Sequence, residues 1–448
     1  MLCGPEGSVE LEGELVHHPR LVEAPPACEG DPEVVPRAAE LWLELRRELE
    51  APDRGIPVGL ALGEHYSLGG EVVEHVRVGG HVVDHFDLEQ LAASTGRSTG
   101  RSVDPTVFVM LLRSLLALLG AIVLGLFATA LYLFNSYEDL PVDPAWELAS
   151  VDSVPLGAVS VRFTGTSTLL FSDGETSWMV DGWFTRFGPL AMLGGEIEPD
   201  VDAIVQGLER NEVDRLAVVI PVHSHFDHAM DAPEVAKRTG ATLLGSESTA
   251  NIGRGWGLDE SRIRVAVDRE PLRFGAFTIT LIHTRHFEFP DPEIRERALA
   301  DPLIDSPLVP PAGVFEYKVG QPYAIHVSHP KGRFLIQASA GFVEGGLADF
   351  PAETVFLGIG GIETQTEAYR ETYWRETVEA IGATRVLPIH YDSLFGPIAG
   401  PLMGEVKAGA FLSDGGDTLL SFLREKIAST RGMQIGTLPR YAPVVLFP

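Results

Sequence analysis

Residues 216–231 read LAVVIPVHSHFDHAMD and join a short apolar run to a group of histidines and carboxylates. The apolar run, residues 216–220, predicts a buried strand, and α/β proteins bind ligands at the carboxyl ends of such strands. His223 and His225 lie two positions apart, so in extended backbone their side chains point the same way, and Asp227 and His228 follow in the turn. Imidazole nitrogens and a carboxylate suit a borderline cation such as Zn²⁺. The segment therefore predicts a metal centre at the end of a strand.

The overall composition limits both the ligands and the partners of this chain. It has 448 residues with 34 Lys and Arg against 63 Asp and Glu, a formal net charge of −29. Such an acidic chain lacks the basic surface that nucleic-acid binding needs, so no nucleic acid is expected as a partner. The only cysteines are Cys3 and Cys28, which excludes a disulfide framework and a cysteine-rich zinc ribbon. Any metal beyond residue 28 must be held by His, Asp or Glu.

The sequence from residue 156 onward alternates short apolar runs, glycine turns and helical stretches. Strands are predicted near its start, helices intervene later, and this order favours an α/β protein with layered sheets and helices. The predicted strands are residues 159–163, 168–171, 176–180, 215–222, 277–282, 323–327, 334–338, 354–359 and 385–389, and the clearest helices are 232–239 and 366–381.

Several motifs resemble those of the metallo-β-lactamase-fold hydrolases. The segment HSHFDH at residues 223–228 matches the H-x-H-x-D-H motif of that family. The other matching segments, in the family's order between about residues 155 and 400, are GTST at 165–168, MVDG at 179–182, TRHF at 284–287, FLIQASAG at 334–341, LGIGG at 357–361 and VLPIH at 386–390. Their wording is closest to the branch that contains L-ascorbate-6-phosphate lactonase and N-acylphosphatidylethanolamine-hydrolysing phospholipase D.

The resemblance implies an αββα sandwich over residues 156–448 and a set of metal ligands. It assigns His223, His225 and His286 to a first metal ion, and Asp227, His228 and His390 to a second. Asp181 would orient ligands, and Asp227 and His228 would take part in catalysis. The expected cofactor is one or two Zn²⁺ ions, with Mn²⁺ or Fe²⁺ as alternatives. The expected reaction is attack by metal-activated hydroxide on an ester, lactone, amide or phosphodiester of a small-molecule or lipid-derived substrate.

One position departs from the family pattern and keeps other functions open. Ser339 stands where the family has an aspartate that bridges two metals, and a neutral hydroxyl bridges metals poorly. Asp392 is a candidate substitute carboxylate, with a solvated turn residue as its alternative. A single-metal redox enzyme and a non-catalytic metal-binding or scaffold module on the same fold are therefore alternatives to the hydrolase. His283 competes with His286 as the third histidine ligand.

The segment 287–322 is rich in proline and lacks periodicity. At more than 30 residues it exceeds the usual loop length, which favours a lid or a substrate wall over the metal centre. A family-specific surface insertion is the alternative.

An uncharged apolar run at residues 115–134, LLALLGAIVLGLFATALYLF, predicts a transmembrane helix. Twenty residues at about 1.5 Å each span about 30 Å, the thickness of a bilayer core. Arg97, Arg101 and Arg113 precede the run, so the positive-inside rule places the N-terminus in the cytoplasm. The C-terminal domain is then expected outside the cytoplasm, in the periplasm if the source is bacterial.

The predicted organisation has four parts. Residues 1–106 form a poorly structured N-terminal region, 110–135 the transmembrane helix or signal anchor, 136–155 a linker and 156–448 the catalytic domain. The first part contains a duplicated ten-residue unit, GGEVVEHVRV and then GGHVVDHFDL. If translation begins at Met110, residues 1–109 are an artefact of start-site choice and the apolar run resembles a signal sequence.

Overall fold

The computed structural model describes residues 104–408 and 417–448, together with four three-residue strands between residues 66 and 83. Most of the N-terminal region predicted over residues 1–106, including Cys3 and Cys28, lies outside these described residues. The chain divides into two compact units, residues 1–116 and 117–448.

Two short antiparallel strand pairs, with three residues a side, lie within and just before the duplicated ten-residue unit in the first compact unit. Strand β1 (Tyr66–Leu68) pairs with β2 (Glu71–Val73), and β3 (Val76–Val78) pairs with β4 (His81–Val83).

The predicted apolar helix forms as α1, Pro105–Asn135, 31 residues long. It begins five residues before the predicted start at 110 and ends at the predicted residue 135. None of the residues in its most apolar 18-residue window is buried, and its length and composition are sufficient to cross a membrane. Large apolar side chains exposed around a whole helix are unfavourable in water and suit a lipid environment.

The second compact unit contains the remaining strands and helices. In chain order the strands are β5 (Val159–Gly165), β6 (Thr168–Ser172), β7 (Ser177–Val180), β8 (Glu196–Ile197), β9 (Val218–Ile220), β10 (Thr242–Gly245), β11 (Ile263–Val265), β12 (Pro271–Phe274), β13 (Phe277–His283), β14 (Ala312–Gly313), β15 (Tyr323–His329), β16 (Gly332–Gln337), β17 (Thr354–Gly358), β18 (Arg385–Ile389), β19 (Gln434–Ile435) and β20 (Val444–Phe447). The helices are α2 (Val201–Arg210), α3 (Phe226–Ala229), α4 (Ala232–Thr239), α5 (Glu247–Gly255), α6 (Pro292–Leu299), α7 (Glu367–Trp374) and α8 (Asp417–Ser429).

Two seven-stranded sheets share one plan. The first has the order β11-β10-β9-β7-β6-β5-β20 and the second β12-β13-β15-β16-β17-β18-β19. In the first sheet the neighbours from β20 to β7 pair antiparallel, and those from β7 to β11 pair parallel. In the second sheet the neighbours from β12 to β16 pair antiparallel, and those from β16 to β19 pair parallel. In each sheet the carboxyl ends of the parallel strands therefore lie at the same end of the sheet, where loops bind ligands.

The two sheets pack face to face through a dry aromatic core. The ring of Phe171 from the first sheet lies 4.7 Å from Phe334 and 5.2 Å from Phe356 of the second. Helices α2 and α4 cover the other face of the first sheet, where Ile204 and Val235 pack with Val219. Helix α7 lies on the second sheet, since the Tyr373 hydroxyl donates to the carbonyl of Gly358 at the end of β17. The layered αββα sandwich that the sequence predicts is confirmed.

The packing of α2 on the first sheet can be tested at Gly207. An added Cβ there would lie 2.1 Å from Cδ1 of the buried Phe184 ring. We therefore expect Gly207→Ala to lower the free energy of unfolding by about 1–3 kcal/mol, despite the better helix propensity of alanine. Thermal melting in detergent measures the change. Gly188→Ala is the control, because an added Cβ there meets nothing within 4 Å. A Gly207→Ala protein as stable as the control would contradict this packing.

Candidate metal centre

The predicted ligand residues converge at the carboxyl ends of strands from both sheets. His223 follows β9, His286 follows β13 and His390 follows β18 directly. The loops of the second sheet are held together by a bridge between His286 and Ala340. Residues separated by up to 167 positions thereby lie in one place.

The first group consists of three histidines. Nitrogen atoms of His223, His225 and His286 all lie within 4.8 Å of one another. Nε2 of His223 is 3.1 Å from Nδ1 of His225, and the His286 ring centroid lies 4.9 Å and 5.0 Å from the other two. The His223 ring is buried, whereas His225 and His286 are partly accessible.

The second group combines a carboxylate with two histidines. Donor atoms of Asp227, His228 and His390 also lie within 4.8 Å of one another. Oδ2 of Asp227 is 3.2 Å from Nε2 of His390 and 3.3 Å from Nε2 of His228. The two groups adjoin, because the ring centroids of His223 and His228 are 3.9 Å apart.

Hydrogen-bond acceptors behind the rings fix which nitrogen faces the centre. Nδ1 of His228 lies 2.9 Å from Oδ2 of Asp181, and Nδ1 of His286 lies 2.7 Å from the carbonyl oxygen of Phe287. These contacts direct the Nε2 atoms of both rings inward. His225 is reversed, with Nε2 at 3.5 Å from the Ala298 carbonyl of α6 and Nδ1 directed inward. Such partners behind a ligand set its tautomer and orientation.

Burial and mutual repulsion keep the first group uncharged. Burial, followed by the charges of neighbouring histidines, lowers the pKa of His223 and His286 well below the usual histidine range. Burial also lowers the pKa of His225 to about 4. At neutral pH all three imidazoles therefore offer lone pairs.

The second group is charged instead. Burial opposes ionisation of Asp227, but His228 and His390 outweigh it and lower the pKa of this carboxyl well below its usual range. Burial likewise opposes the charge of His228, yet Asp227 and Asp181 raise the pKa of His228. The second group therefore contains the ionised carboxylate of Asp227 beside the imidazoles of His228 and His390.

These residues fit a divalent cation. Nε2 of His225 is directed to the Ala298 carbonyl, so its Nδ1 is an acceptor that faces Nε2 of His223 at 3.1 Å. The Ser339 hydroxyl contacts Nδ1 of His223, so Nε2 is the nitrogen of that ring that faces the centre. Three neutral imidazoles are a donor set that Zn²⁺ and other transition metals bind well.

Ser339 lies against the first group. Its hydroxyl oxygen is 2.9 Å from Nδ1 of His223, so it acts on the back of that ring. Asp392 lies in neither group; its Oδ1 accepts a hydrogen bond of 2.6 Å from the backbone N–H of Thr166. Burial raises the pKa of this carboxyl. His283 is exposed and is also outside both groups, so of the two competing histidines the structure brings His286 to the centre.

Asp181 joins the metal centre to the first sheet. Its Oδ1 accepts a hydrogen bond of 2.9 Å from the backbone N–H of Val222, and its backbone N–H donates to Ile220. The same carboxylate contacts His228 through Oδ2. It therefore fixes both the chain that leads into the histidine segment and one of the rings.

Backbone strain is concentrated at this centre and was not predicted from the sequence. Thr166, Asp181, Ala340 and His390 have φ values of 51°, 58°, 53° and 60°. These angles lie in the left-handed region, which side chains other than glycine rarely adopt. All four residues contact or adjoin the two groups, since the Thr166 carbonyl accepts the His390 N–H. No residue type in the sequence signals this conformation.

The proline-rich segment 287–322 contributes to the walls of the first group. Phe287 and Phe289 stack on the His286 ring at centroid distances of 4.6 Å and 5.4 Å. Helix α6 in the same segment supplies the Ala298 carbonyl near His225. The segment is therefore in contact with the metal centre, as the interpretation of a lid or wall requires.

The pKa shifts of the histidines predict an acid-labile metal-free protein. Unfolded histidines titrate near 6.5, whereas folded His223, His225 and His286 have lower pKa values, so below that pH the unfolded chain binds more protons. The raised pKa of His228 acts in the opposite direction and offsets one of the three. After chelation we expect the melting temperature to fall between about pH 7 and about pH 5. In His225→Gln the melting temperature should fall less over the same pH range. Equal falls in both proteins would show that His225 does not have a lowered pKa in the folded protein.

The chain has partial similarity to several solved structures. No family model and no curated protein matches the chain. Among solved structures, the metallo hydrolase Igni18 from the archaeon Ignicoccus hospitalis is 17% identical, with a TM-score of 0.39 over 64% of this chain and 97% of that one. The metallo-β-lactamase-fold protein YhfI from Bacillus subtilis is 14% identical, with a TM-score of 0.36 over 64% of this chain and 99% of that one.

A third similar structure has a different chemistry. The diiron β-hydroxylase CmlA from Streptomyces venezuelae is 13% identical, with a TM-score of 0.36 over 66% of this chain and 55% of that one. At these identities and TM-scores the similarities carry no argument about function, and the donor geometry alone carries the functional conclusion.

Proposed function

We propose that this protein is a metal-dependent hydrolase of the metallo-β-lactamase fold. The observation that carries the proposal is the pair of adjoining donor groups, His223, His225 and His286 beside Asp227, His228 and His390. The first group would hold one divalent ion through three neutral imidazoles. The second would hold another through one carboxylate and two imidazoles. Zn²⁺ is the preferred ion for such ligands, with Mn²⁺ and Fe²⁺ as alternatives.

The chain's own residues would arrange the reactants. A divalent ion bound here supplies Lewis acidity, which lowers the pKa of water and polarises a substrate oxygen. Asp227, whose Oδ2 lies between His228 and His390, would orient an attacking water or accept its proton where it is not fully committed to a second ion. Asp181 holds His228 in one orientation, and Ser339 does the same for His223. Phe287 and Phe289 would exclude water from one side of the substrate.

The substrate class follows from this chemistry. Attack by water on an ester, lactone, amide or phosphodiester needs an activated nucleophile and a stabilised oxyanion, and both groups together would provide them. The apolar wall at the first group favours a substrate with an apolar portion, including a lipid-derived one. The branch with lactonase and phospholipase members stays a prediction from the motifs.

A second candidate is favoured by Ser339. Because the hydroxyl replaces a bridging carboxylate, Asp227 is the only carboxylate in either donor group. A single bound ion would then serve a redox enzyme or a non-catalytic module. Iron with oxygen consumption would support the redox enzyme, and bound metal without turnover would support the module.

We also propose that α1 anchors the protein in a membrane through residues 115–134. The N-terminus would be cytoplasmic and the catalytic domain extracytoplasmic. Cys3 and Cys28, both near the start, are the only thiols in the chain. A membrane-impermeant maleimide should therefore label intact cells only after permeabilisation. Labelling without permeabilisation would reverse the orientation, and a purified protein without thiols would show that translation begins at Met110.

The hydrolase is tested with the full-length protein in detergent. We expect one to two transition-metal ions per chain and turnover on at least one member of a panel of esters, lactones, amides and phosphodiesters. Chelation should abolish this turnover and re-addition of Zn²⁺, Mn²⁺ or Fe²⁺ should restore it. Turnover that survives complete removal of metal would contradict the proposal.

A further inference from the structure

The loop that follows His390 and Asp392 has an unusual composition for this chain. Residues 393–404 read SLFGPIAGPLMG and contain no charged residue, although 22% of the whole chain is charged. We refer to these residues as the apolar loop. Pro397, Ala399, Gly400 and Pro401 at its centre are exposed. The large apolar side chains of the loop, Leu394, Phe395, Ile398, Leu402 and Met403, are all partly accessible to solvent.

The apolar loop is fastened to the residues at the end of α1. The Tyr137 hydroxyl donates a hydrogen bond of 3.0 Å to the carbonyl of Phe395. The chain after the loop also pairs with the chain after the helix, since Tyr137 and Val406 form an antiparallel bridge. The backbone hydrogen bonds of this pairing run from Ala408 to Leu133, from Lys407 to Ser136, from Glu138 to Glu405 and from Gly404 to Glu138.

These contacts place the apolar loop at the level of a membrane surface when α1 crosses the bilayer. Tyr137 is two residues beyond Asn135, the last residue of α1. Two residues extend at most about 7 Å, and the polar interface of a bilayer is about 5–8 Å deep on each side. The backbone that binds the loop therefore lies within the depth of the lipid headgroups. Tyr132 and Tyr137 are the residue type that is enriched at this depth.

We propose that the apolar loop is a second membrane-contact surface beside α1, and that its occupant is the bilayer that α1 enters. The inference rests on the membrane anchoring in the proposed function. Charged residues bound the loop on both sides, with Asp392 buried before it and Glu405 exposed after it. The side chains between them are uncharged and bury apolar area in the interface, and the Arg440 guanidinium, which donates to the carbonyls of Pro397, Gly400 and Pro401, satisfies the exposed backbone of the loop there.

The contact has a consequence for the metal centre. The loop begins three residues after His390, and the Phe395 ring lies 6.1 Å from Phe187, whose ring lies 5.3 Å from Phe226 beside Asp227. Packed aromatic rings thus connect the loop with the residue before Asp227, so the membrane contact lies close to the second donor group.

Depth-dependent fluorescence quenching tests the inference on the full chain in phosphatidylcholine vesicles. Cys3 and Cys28 are replaced by serine, and a single cysteine carries an environment-sensitive fluorophore at Ala121, Ala399 or Glu175. Ala121 lies in α1 and Ala399 in the apolar loop. Glu175 is exposed in the hairpin before β7, at the end of the strand opposite to Asp181, and serves as the control. Lipids brominated near the headgroup are expected to quench the label at Ala399, lipids brominated along the acyl chain are expected to quench the label at Ala121, and both should leave Glu175 unchanged.

The outcomes distinguish the membrane anchoring by α1 from the membrane contact of the apolar loop. No quenching at Ala121 would show that α1 is outside the bilayer and would overturn both the anchoring and the inference. Quenching at Ala121 without quenching at Ala399 would overturn the inference alone. Equal quenching at Ala399 and Glu175 would indicate adsorption of the whole domain and would also overturn it.

Two variants sharpen the result. Tyr137→Phe removes the hydroxyl that donates to Phe395, and Pro397→Asp puts a charge into the loop. Both are expected to lower the quenching at Ala399 while the quenching at Ala121 and the metal content stay unchanged. Undiminished quenching in Pro397→Asp would show that the loop does not enter the interface.

Discussion

Replacing His225 with alanine is expected to remove metal from the first donor group and to lower kcat/KM by at least about a hundredfold. Nδ1 of His225 lies 3.1 Å from Nε2 of His223, so the substitution leaves only two nitrogens for the ion. Metal content by mass spectrometry and turnover on the best substrate of the panel measure the effect.

His283→Ala is the matched control for this substitution. His283 is three residues from His286, exposed, and outside both donor groups. The His283→Ala protein should keep the metal content and the turnover of the unmodified protein. Full turnover in a His225→Ala protein that lacks metal would contradict the hydrolase mechanism, and loss of metal in His283→Ala would reassign the third ligand.

Asp227→Asn is expected to empty the second donor group and to reduce turnover by about 10²–10³-fold. The two side chains have nearly the same shape, so the change removes charge while the packing is kept. The carboxylate that contacts His228 and His390 at 3.3 Å and 3.2 Å becomes a neutral amide. We expect one metal ion per chain to be lost and the first group to keep its own.

Asp392→Asn controls for the loss of a buried carboxylate at the same end of the sheets. Its oxygen can still accept the hydrogen bond from the Thr166 N–H, so the fold and the metal content should be retained. If Asp392→Asn also releases metal, Asp392 acts as the substitute carboxylate that the sequence suggests. If Asp227→Asn keeps two ions, the second group is assigned wrongly.

The strands and helices that the sequence predicts best are those whose pattern agrees with their surroundings. Strand β18 and helix α4 begin and end at the predicted residues. The strand predicted over 215–222 is only Val218–Ile220, because Pro221 has no N–H for a ladder and the Val222 N–H is taken by the Asp181 side chain. The side chain that ends β9 comes from the residue after β7, and a local sequence pattern does not contain that information.

The helix predicted over 366–381 shows a similar limit. Regular α7 ends at Trp374 and a π-helical turn, Arg375–Glu379, follows it. The Thr377 hydroxyl donates to the Tyr373 carbonyl four residues earlier and competes with the backbone for that acceptor. Helical periodicity survives such a turn, so the sequence predicts one continuous helix.

The candidate site was predictable in its residue types and less so in its geometry. The spacing of His223, His225, Asp227 and His228 is local, whereas His286 and His390 could be assigned only through the family resemblance. The acceptors behind the rings were not predictable, because Ala298 offers a backbone carbonyl and Ser339 acts on the back of His223. Such contacts depend on how distant loops meet.

The left-handed residues around the donor groups set a limit on how this protein can be made more heat-resistant. Each of Thr166, Asp181, Ala340 and His390 costs on the order of 1 kcal/mol or more relative to a relaxed backbone. At Asp181 and His390 glycine would relieve this strain but would also remove the contacts to the Val222 N–H, to His228 and to Asp227. Directed evolution for thermostability should therefore enrich glycine at Thr166 and Ala340 and keep Asp181 and His390.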